Sequence, residues 1–263
     1  SNMGIDAGEV LPMDECLYGI MVASANEVSS AVAEHVAGDI DSFTDMMNNR
    51  AKELGCLNSH FVNSNGLYDD NHYTSAYDLA LIARAFFKND TLRRIGNTTT
   101  YHFMPTETQP DDFYKTNKHK LINGDIPYEG IIGGKTGYTS EARQTLVTGC
   151  EQNGLRLICV VMMEEAPSQF EDTVALFDYG YKNFSKANVA ENDTRYIIGD
   201  SNFFHAANDI FGNSSSILSI NKNSFVILPN MSRFDHLSST IDFKAKDLEE
   251  NEIAKITYFY EGI

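Results

Sequence analysis

The chain has 263 residues, 42% of them hydrophobic, and its 20 Lys and Arg against 37 Asp and Glu give a net charge of −17. This length is enough for one large domain, or for a medium-sized domain and a small one. The acidic balance argues against binding to nucleic acid and to anionic membrane surfaces, since both need basic protein surface. No apolar run reaches the roughly 18 residues that a membrane span requires.

Helical periodicity dominates the first ninety residues. Apolar residues recur at three- and four-residue steps over 17–36, with a break near Ser24, which predicts two helices that meet at a short polar turn. Another helix follows, with Ser42 as its candidate N-cap. Ser75, with Asp78 three residues later, is the candidate N-cap of the next one.

Three strand candidates follow a polar, irregular stretch, at 130–138, 144–150 and 155–163. Asn153-Gly154 lies between the last two, and both residue types tolerate positive φ, so this pair predicts a tight hairpin turn. The run 155–163 is almost entirely apolar. We therefore expect it to be a central strand that is buried on both faces.

A change in composition near residue 187 predicts a domain boundary. Before it, Ser168 is a candidate N-cap of a last long helix. After it, short alternating apolar runs at 217–220 and 225–228 favour a small all-β domain. The predicted division is therefore 1–186 and 187–263.

The run GGKTGYT at 133–139 resembles part of a phosphate-binding loop. A Walker A loop has the pattern G-x-x-x-x-G-K-[ST] and a helix directly after it. Its first glycine would fall at position 129, which is Glu129, and a carboxylate there repels phosphate. Gly137 is a poor residue for a starting helix, and the next apolar run is strand-like. These features exclude a nucleotide site.

The triplet K-T-G has a second meaning when S-x-N lies upstream of it. Ser24-Ala25-Asn26 supplies that motif at the break between the two first helices, and 135 − 24 places it 111 residues before Lys135. The two motifs on a helix turn and on a strand are typical of serine β-lactamases and penicillin-binding proteins.

The chain resembles the low-molecular-weight penicillin-binding proteins, which are D-alanyl-D-alanine carboxypeptidases of cell-wall metabolism. The resemblance covers most of the chain in order and spacing, in the segments 18–26, 33–38, 54–55, 60–61, 65–67, 73–80, 116–118 and 135–139. It implies an α+β fold of the penicillin-binding and β-lactamase type, with an antiparallel sheet flanked by helices, its first strands missing, and then the small all-β domain.

The resemblance also implies the chemistry. The family opens an amide by acyl transfer to a serine and then hydrolyses the ester, without a metal or a cofactor. The expected partners are a peptidoglycan stem peptide ending in D-Ala-D-Ala and β-lactam antibiotics, with no nucleic acid. The implied location is extracellular, in the cell envelope at the outer face of the cytoplasmic membrane.

Each matched position has an implied role. Lys135 places a cation beside the terminal carboxylate of the substrate, Ser24 relays a proton towards the leaving amine, and the amide of Asn26 orients a substrate carbonyl. The implied substrate-binding residues are Asn117, Thr136, Gly137, Tyr138 and Thr139. Among these, the N–H of Tyr138 would be half of the oxyanion hole.

The nucleophile motif S-x-x-K is missing from its expected place. The family has it well before S-x-N, and the 23 residues before Ser24 do not contain it. The one S-x-x-K of the chain begins at Ser219, in the predicted β domain, where a nucleophile helix is not expected. We therefore expect an N-terminally truncated carboxypeptidase, inactive alone, whose bare sheet edge is covered by a second copy.

Two alternative functions stay open. A natural loss of S-x-x-K would leave a non-catalytic module that binds peptide or peptidoglycan. A β-lactamase shares the motifs but is disfavoured by the trailing β domain and by the carboxypeptidase-like stretches within 60–80. In one departure from the family, Arg143 follows Ala142 where Ala-Gly is common, which bears on the loop beside the site.

Overall fold

A computed structural model describes residues 1–193, 195 and 219–260. The chain divides into two compact units, 1–179 and 180–263. Helices and antiparallel sheets share the chain, so the predicted α+β class is confirmed. In the described part, no helix is both long and apolar enough to cross a membrane.

The first unit contains most of the helices and three longer strands. Its helices are α1 (Met13–Tyr18), a π-helix (Gly19–Ala23), α2 (Asn26–Ala37), α3 (Ile40–Glu53), α4 (Ala76–Lys88), α5 (Asp90–Gly96), α6 (Lys120–Asn123) and α7 (Ser168–Asn183), which ends just beyond the unit. Its strands are β1 (Thr100–Phe103), β2 (Phe113–Thr116), β3 (Ile131–Thr139), β4 (Arg143–Gln152) and β5 (Leu155–Glu164).

Two of the predicted helix starts have different outcomes. Ser75 caps α4 as predicted, since its Oγ accepts a hydrogen bond from the N–H of Asp78 at 3.2 Å. The prediction for Ser42 is wrong, because α3 begins earlier. Its N-cap is Asp39, whose carboxylate accepts from the N–H of Ser42 at 2.6 Å. The side chain of Asp39 satisfies the free amide, so Ser42 lies inside the first turn.

The main sheet has the order β3-β4-β5 and is antiparallel. All three predicted strands are confirmed, and so is the tight turn between β4 and β5. Asn153 and Gly154 both have left-handed φ values there, 51° and 74°, which suit the twist of a two-residue hairpin.

The prediction that the third strand is central is wrong. Within the described residues β5 lies at the edge of the sheet and β4 lies in the middle. Burial agrees, because Leu146, Thr148 and Cys150 of β4 are fully buried, whereas Arg156 and Met163 of β5 are exposed. An apolar run indicates burial but does not give the order of strands.

Helices cover both faces of this sheet and leave the outer edge of β3 open. On one face Phe87 of α4 lies close to two glycines: a Cβ on Gly149 would be 2.7 Å from its ring, and one on Gly133 would be 3.2 Å away. On the other face Thr173 of α7 contacts Cys159 of β5. The K-T-G strand is thus packed on both faces and, among the described residues, paired on one side only.

The second unit is rich in short strands. In it β6 (Phe184–Asn188) pairs with β7 (Phe225–Pro229), and β8 (Leu237–Asp242) pairs with β9 (Lys255–Tyr260), beside a one-turn helix α8 (Val189–Asn192). The predicted apolar run 225–228 is therefore a strand. The run 217–220 lies partly outside the described residues, and the domain boundary at 187 stays a prediction.

Candidate active site

Ser24 lies in a strained turn between the π-helix and α2. Its φ and ψ are 55° and 42°, the left-handed conformation that residues other than glycine rarely adopt. The turn is anchored because Ala23 and Ala25 on either side are buried and because the N–H of Ala25 donates to the carbonyl of Gly19 at 3.0 Å. A π-helix that ends here is consistent with a functional position.

Asn26 is the first residue of α2, and its side chain does not cap that helix. The N-cap is Ala25, which has no side-chain hydrogen bond to the first turn. The backbone N–H of Asn26 donates to the carbonyl of Ser1 at 3.2 Å, but its side-chain amide has no hydrogen-bond partner among the described residues. Its donor and acceptor groups are therefore available to a ligand.

Lys135 joins the strand to the helix turn. Its Nζ donates to Oγ of Ser24 at 2.6 Å and to the carbonyl of Thr136 at 2.8 Å. Burial, and then the positive charge of Lys118, lower the pKa of Lys135 to about 8. Since Ser24 accepts this bond, its own hydroxyl proton is free to be donated to a third group.

The outer edge of β3 is the second part of the site. β3 is the terminal strand of its sheet, so the backbone groups on its other side have no strand partner among the described residues. Tyr138 is 62% exposed on this strand. An extended peptide can pair with such an edge as an added strand.

Two residues of the K-T-G segment keep the strand and its turn in place. A Cβ on Gly137 would lie 2.4 Å from Oγ1 of Thr145 on β4, so a larger residue there would force the Thr145 side chain to move. Oγ1 of Thr139 accepts from the N–H of Ala142 at 2.9 Å and thereby closes the turn towards β4.

The side-chain amide of Asn117 bonds to the protein backbone at both of its ends. It is 5% exposed, its Oδ1 accepts from the N–H of His119 at 3.0 Å, and its Nδ2 donates to the carbonyl of Thr98 at 3.1 Å. Both ends of the amide are thus engaged within the protein. Its predicted substrate contact stays a prediction.

Sequence reasoning missed His119, and it included Lys118 in a matched segment without giving it a role. Lys118 acts on the charge of Lys135, as noted above, and His119 is fully buried with Nε2 2.8 Å from Oγ1 of Thr148. No motif marks this histidine. The signal that was available is the glycine pair before Lys135, which requires some bulky group to fill the space behind the strand.

We predict that Gly134→Ala strongly destabilises the protein. The new Cβ would lie 2.4 Å from the backbone carbonyl of Val147 and 2.7 Å from Nε2 of His119. Since β4 is central and His119 is buried, neither neighbour moves easily, and overpacking of this kind costs roughly 1–3 kcal/mol or more. Urea denaturation measures the loss, and an unchanged midpoint would contradict the close approach.

Arg143 occupies a left-handed position, with φ of 57°. Arg143 thus adopts the conformation that glycine favours, at the position where the resemblance implies a glycine. Its guanidinium pairs with Glu165 across the hairpin.

We therefore expect Arg143→Gly to leave the melting temperature unchanged or to raise it. Arg143→Val is the matched comparison, because a β-branched residue is strongly disfavoured at positive φ. Its melting temperature should fall. Equal losses in both variants would show that the ion pair with Glu165, rather than the backbone conformation, dominates at this position.

A groove of about 400 Å³ lies elsewhere in the first unit, and its cations are Arg50, Arg84 and Lys88. The C-terminal ends of α3 and α4 meet in it, and basic side chains commonly offset the partial negative charge of such ends. None of the predicted site residues lines this groove, so it is not the candidate active site.

The S-x-x-K run at Ser219 gives no competing site. It lies in an irregular segment before β7, within the second unit, and not at the start of a helix. A nucleophile of this type needs a helix to place its lysine one turn after its serine.

Comparison with solved structures assigns the fold. Penicillin-binding protein 5 from Haemophilus influenzae superimposes with a TM-score of 0.74 over 100% of this chain and 74% of its own, at 23% identity. A cysteine-to-alanine mutant of the Streptomyces K15 DD-transpeptidase matches with a TM-score of 0.65 at 26% identity, over 69% of this chain and 73% of its own. The penicillin-binding fold predicted from the sequence is thus confirmed.

Sequence comparison assigns the family. The chain is 34% identical over 185 residues to the D-alanyl-D-alanine carboxypeptidase DacF of Bacillus subtilis, covering 70% of this chain and 46% of the relative. It is also 30% identical over 190 residues to DacA of Escherichia coli K12, covering 72% of this chain and 45% of that relative. The chain thus spans about half the length of these curated relatives. Since the D-alanyl-D-alanine carboxypeptidase model also matches residues 1–166, the chain belongs to that family.

Proposed function

We propose that this chain contains the helix-turn and strand halves of the active site of a serine-type D-Ala-D-Ala carboxypeptidase, which trims the terminal D-alanine of peptidoglycan stem peptides through an acyl-serine intermediate. The observation that carries this is the 2.6 Å contact between Lys135 and Ser24, made across 111 residues. Two motifs that are unremarkable alone are brought to hydrogen-bonding distance in a partly buried cleft.

The proposed binding step uses the strand edge. The stem peptide lies along β3 at Thr136, Gly137 and Tyr138 as an added strand. Its terminal carboxylate is near the ammonium of Lys135, with the hydroxyls of Thr136 and Thr139 as further donors. An anion there favours the protonated lysine and offsets the burial that lowers its pKa.

The proposed chemical step uses Ser24 as a relay. Because Lys135 donates to its Oγ, the Ser24 proton is directed to a third group, which is the departing amine of D-alanine, and the proton that the attacking serine loses replaces it at Ser24. The amide of Asn26 holds the acyl carbonyl side of the peptide, and the N–H of Tyr138 contributes to the oxyanion hole. The step also needs an attacking serine, which is not one of these residues.

The test is release of D-alanine from a synthetic stem pentapeptide, followed by mass spectrometry. The assay uses the complete polypeptide that the gene encodes. It is compared with its Lys135→Ala and Ser24→Ala variants and with Lys88→Ala as a matched surface control. We expect the tetrapeptide with wild type and the control, and little with the two site variants. If well-folded wild-type protein produces no tetrapeptide, the proposed carboxypeptidase activity is refuted.

The same assay separates the alternatives. A pentapeptide that binds but stays intact would favour the non-catalytic module. Rapid turnover of a chromogenic β-lactam, with the pentapeptide untouched, would favour the β-lactamase. If the protein is a carboxypeptidase, we expect it to form a covalent adduct with a fluorescent penicillin, and we expect this adduct to hydrolyse slowly.

The proposed location is the cell envelope, where the peptidoglycan substrate lies, and the proposed wider role is in wall synthesis and cell shape. We also propose that the edge of β5 pairs with a second copy of the chain, because residues 156–164 of this strand have one strand neighbour, β4, among the described residues. Light scattering of the 263-residue chain at high concentration should give the mass of a dimer. A monomer would refute the pairing.

A further inference from the structure

The imidazole of His119 lies behind the K-T-G strand, where it touches two strands at once. Its Nε2 is 2.8 Å from Oγ1 of Thr148 on β4, and a Cβ on Gly134 of β3 would be 2.7 Å from the same nitrogen. Gly134 and Thr148 are partners in the register of the two strands. The ring therefore lies beneath one pair of residues, directly before Lys135.

The ring is anchored from outside β3. The backbone N–H of His119 donates to Oδ1 of Asn117 at 3.0 Å, and that amide in turn donates to the carbonyl of Thr98. Phe170 of α7 packs on the ring edge-to-face, with the centroids 5.7 Å apart. Since these contacts come from elements other than β3, they hold the ring independently of that strand.

The strand is irregular at this point. Gly133 has a φ of 135°, Gly134 follows it, and the register between β3 and β4 shifts between Ile131 and Gly133. In the described part of the chain, β3 also has a strand neighbour on one side only. A strand with two glycines and one neighbour needs another contact to fix its position.

We propose that His119 is a positioning residue, whose ring sets the position of β3 at Gly134 so that Nζ of Lys135 reaches Ser24. The catalytic meaning of this inference rests on the proposed function, whereas the geometry of His119, β3 and Lys135 is independent of that function. A one-ångström shift of a catalytic group is sufficient to lose much of its effect. The 2.6 Å bond from Lys135 to Ser24 depends on such positioning.

The neutral state of the ring suits this task. Burial, followed by the nearby charge of Lys135, lowers the pKa of His119 to about 4. The other cations around it are Lys118 in the same segment and Lys120 of α6, whose Nζ lies over the ring of Phe170. A protonated imidazole would add a further charge to this cationic region, whereas the neutral ring supports Lys135 without repelling it.

The test measures the titration of Lys135 by the 13Cε signal of labelled lysine in the 263-residue chain, assigned by its loss in Lys135→Met. The wild-type midpoint is expected near pH 8. In His119→Ala the strand loosens and water reaches Nζ, so the midpoint should rise by about one pH unit or more towards 10.5. His119→Gln, whose amide can still bond Thr148, should shift less.

Thr173→Val is the matched control, since Thr173 is equally buried and hydrogen-bonded on α7. It should lose stability and keep the wild-type titration. A folded His119→Ala with the wild-type midpoint would overturn the proposal and leave His119 as core filling. If that variant does not fold, His119→Asn and His119→Gln decide, and no shift in either overturns it. No substrate is used, so the result is independent of whether D-alanine is released.

Discussion

Substitution of Lys135 by methionine is expected to abolish most D-alanine release by the full gene product, with a loss of roughly a hundredfold or more, as for other groups that stabilise charge in a transition state. Methionine has a similar length and no charge, so it removes the donor to Ser24, and the proposed donor to the substrate carboxylate, while it fills the same space. The measurement is kcat/KM for the pentapeptide.

The same substitution is expected to change how stability depends on pH. The pKa of Lys135 falls from 10.5 to about 8 in the folded protein, so the unfolded chain binds more protons between these values. Stability therefore rises with pH across that window, and below pH 8 the buried charge is a constant cost. Since the side chain is partly exposed, we expect a rise of about 1–2 kcal/mol rather than the full value of the shift.

Urea denaturation of the 263-residue chain at pH 7, 9 and 10.5 isolates this effect. The difference in unfolding free energy between wild type and Lys135→Met should grow in favour of wild type as the pH rises. Lys88→Met is the control, because it removes a lysine charge at an exposed position outside the site. A difference that is constant over this range would show that Lys135 is not held in a desolvating cleft.

The sequence predicted the two halves of the site because their signals are local. S-x-N interrupts a helical pattern at Ser24, and K-T-G opens a strand that precedes a hairpin with the turn residues Asn153 and Gly154. The known signature, in which S-x-N precedes K-T-G, and the resemblance to the penicillin-binding family then linked the two motifs. The structure adds the one fact that spacing does not give, which is that Nζ of Lys135 reaches Oγ of Ser24.

The predictions that failed concern relations between elements. An apolar strand is expected in the middle of a sheet, but β5 lies at the edge among the described strands because strand order depends on partners elsewhere in the chain. Ser42 has the right residue type for a cap, yet Asp39 lies three residues earlier with a stronger acceptor. His119 has no motif, and its importance follows from its contacts with Gly134 and Thr148 on two neighbouring strands.

The second large effect that we expect is a loss of stability at acidic pH. The pKa of His119 falls from 6.5 to about 4 in the folded protein because the ring is buried and Lys135 is near. The unfolded chain therefore takes up a proton first as the pH falls. The contribution of His119 to the free energy of unfolding is fully present above pH 6.5 and declines between pH 6.5 and 4. Below pH 4 it is constant, and the total loss is on the order of 3 kcal/mol.

The variant His119→Gln should remove this part of the acid dependence, since glutamine does not titrate. It will be less stable than wild type at pH 7, because it fills the space behind Gly134 less completely. Its unfolding free energy should nevertheless approach that of wild type by pH 4. His72, which burial also shifts to a lower pKa, titrates in both proteins and cancels in the comparison. Parallel curves from pH 7 to 4 would show that folding does not lower the pKa of His119, and would refute this prediction.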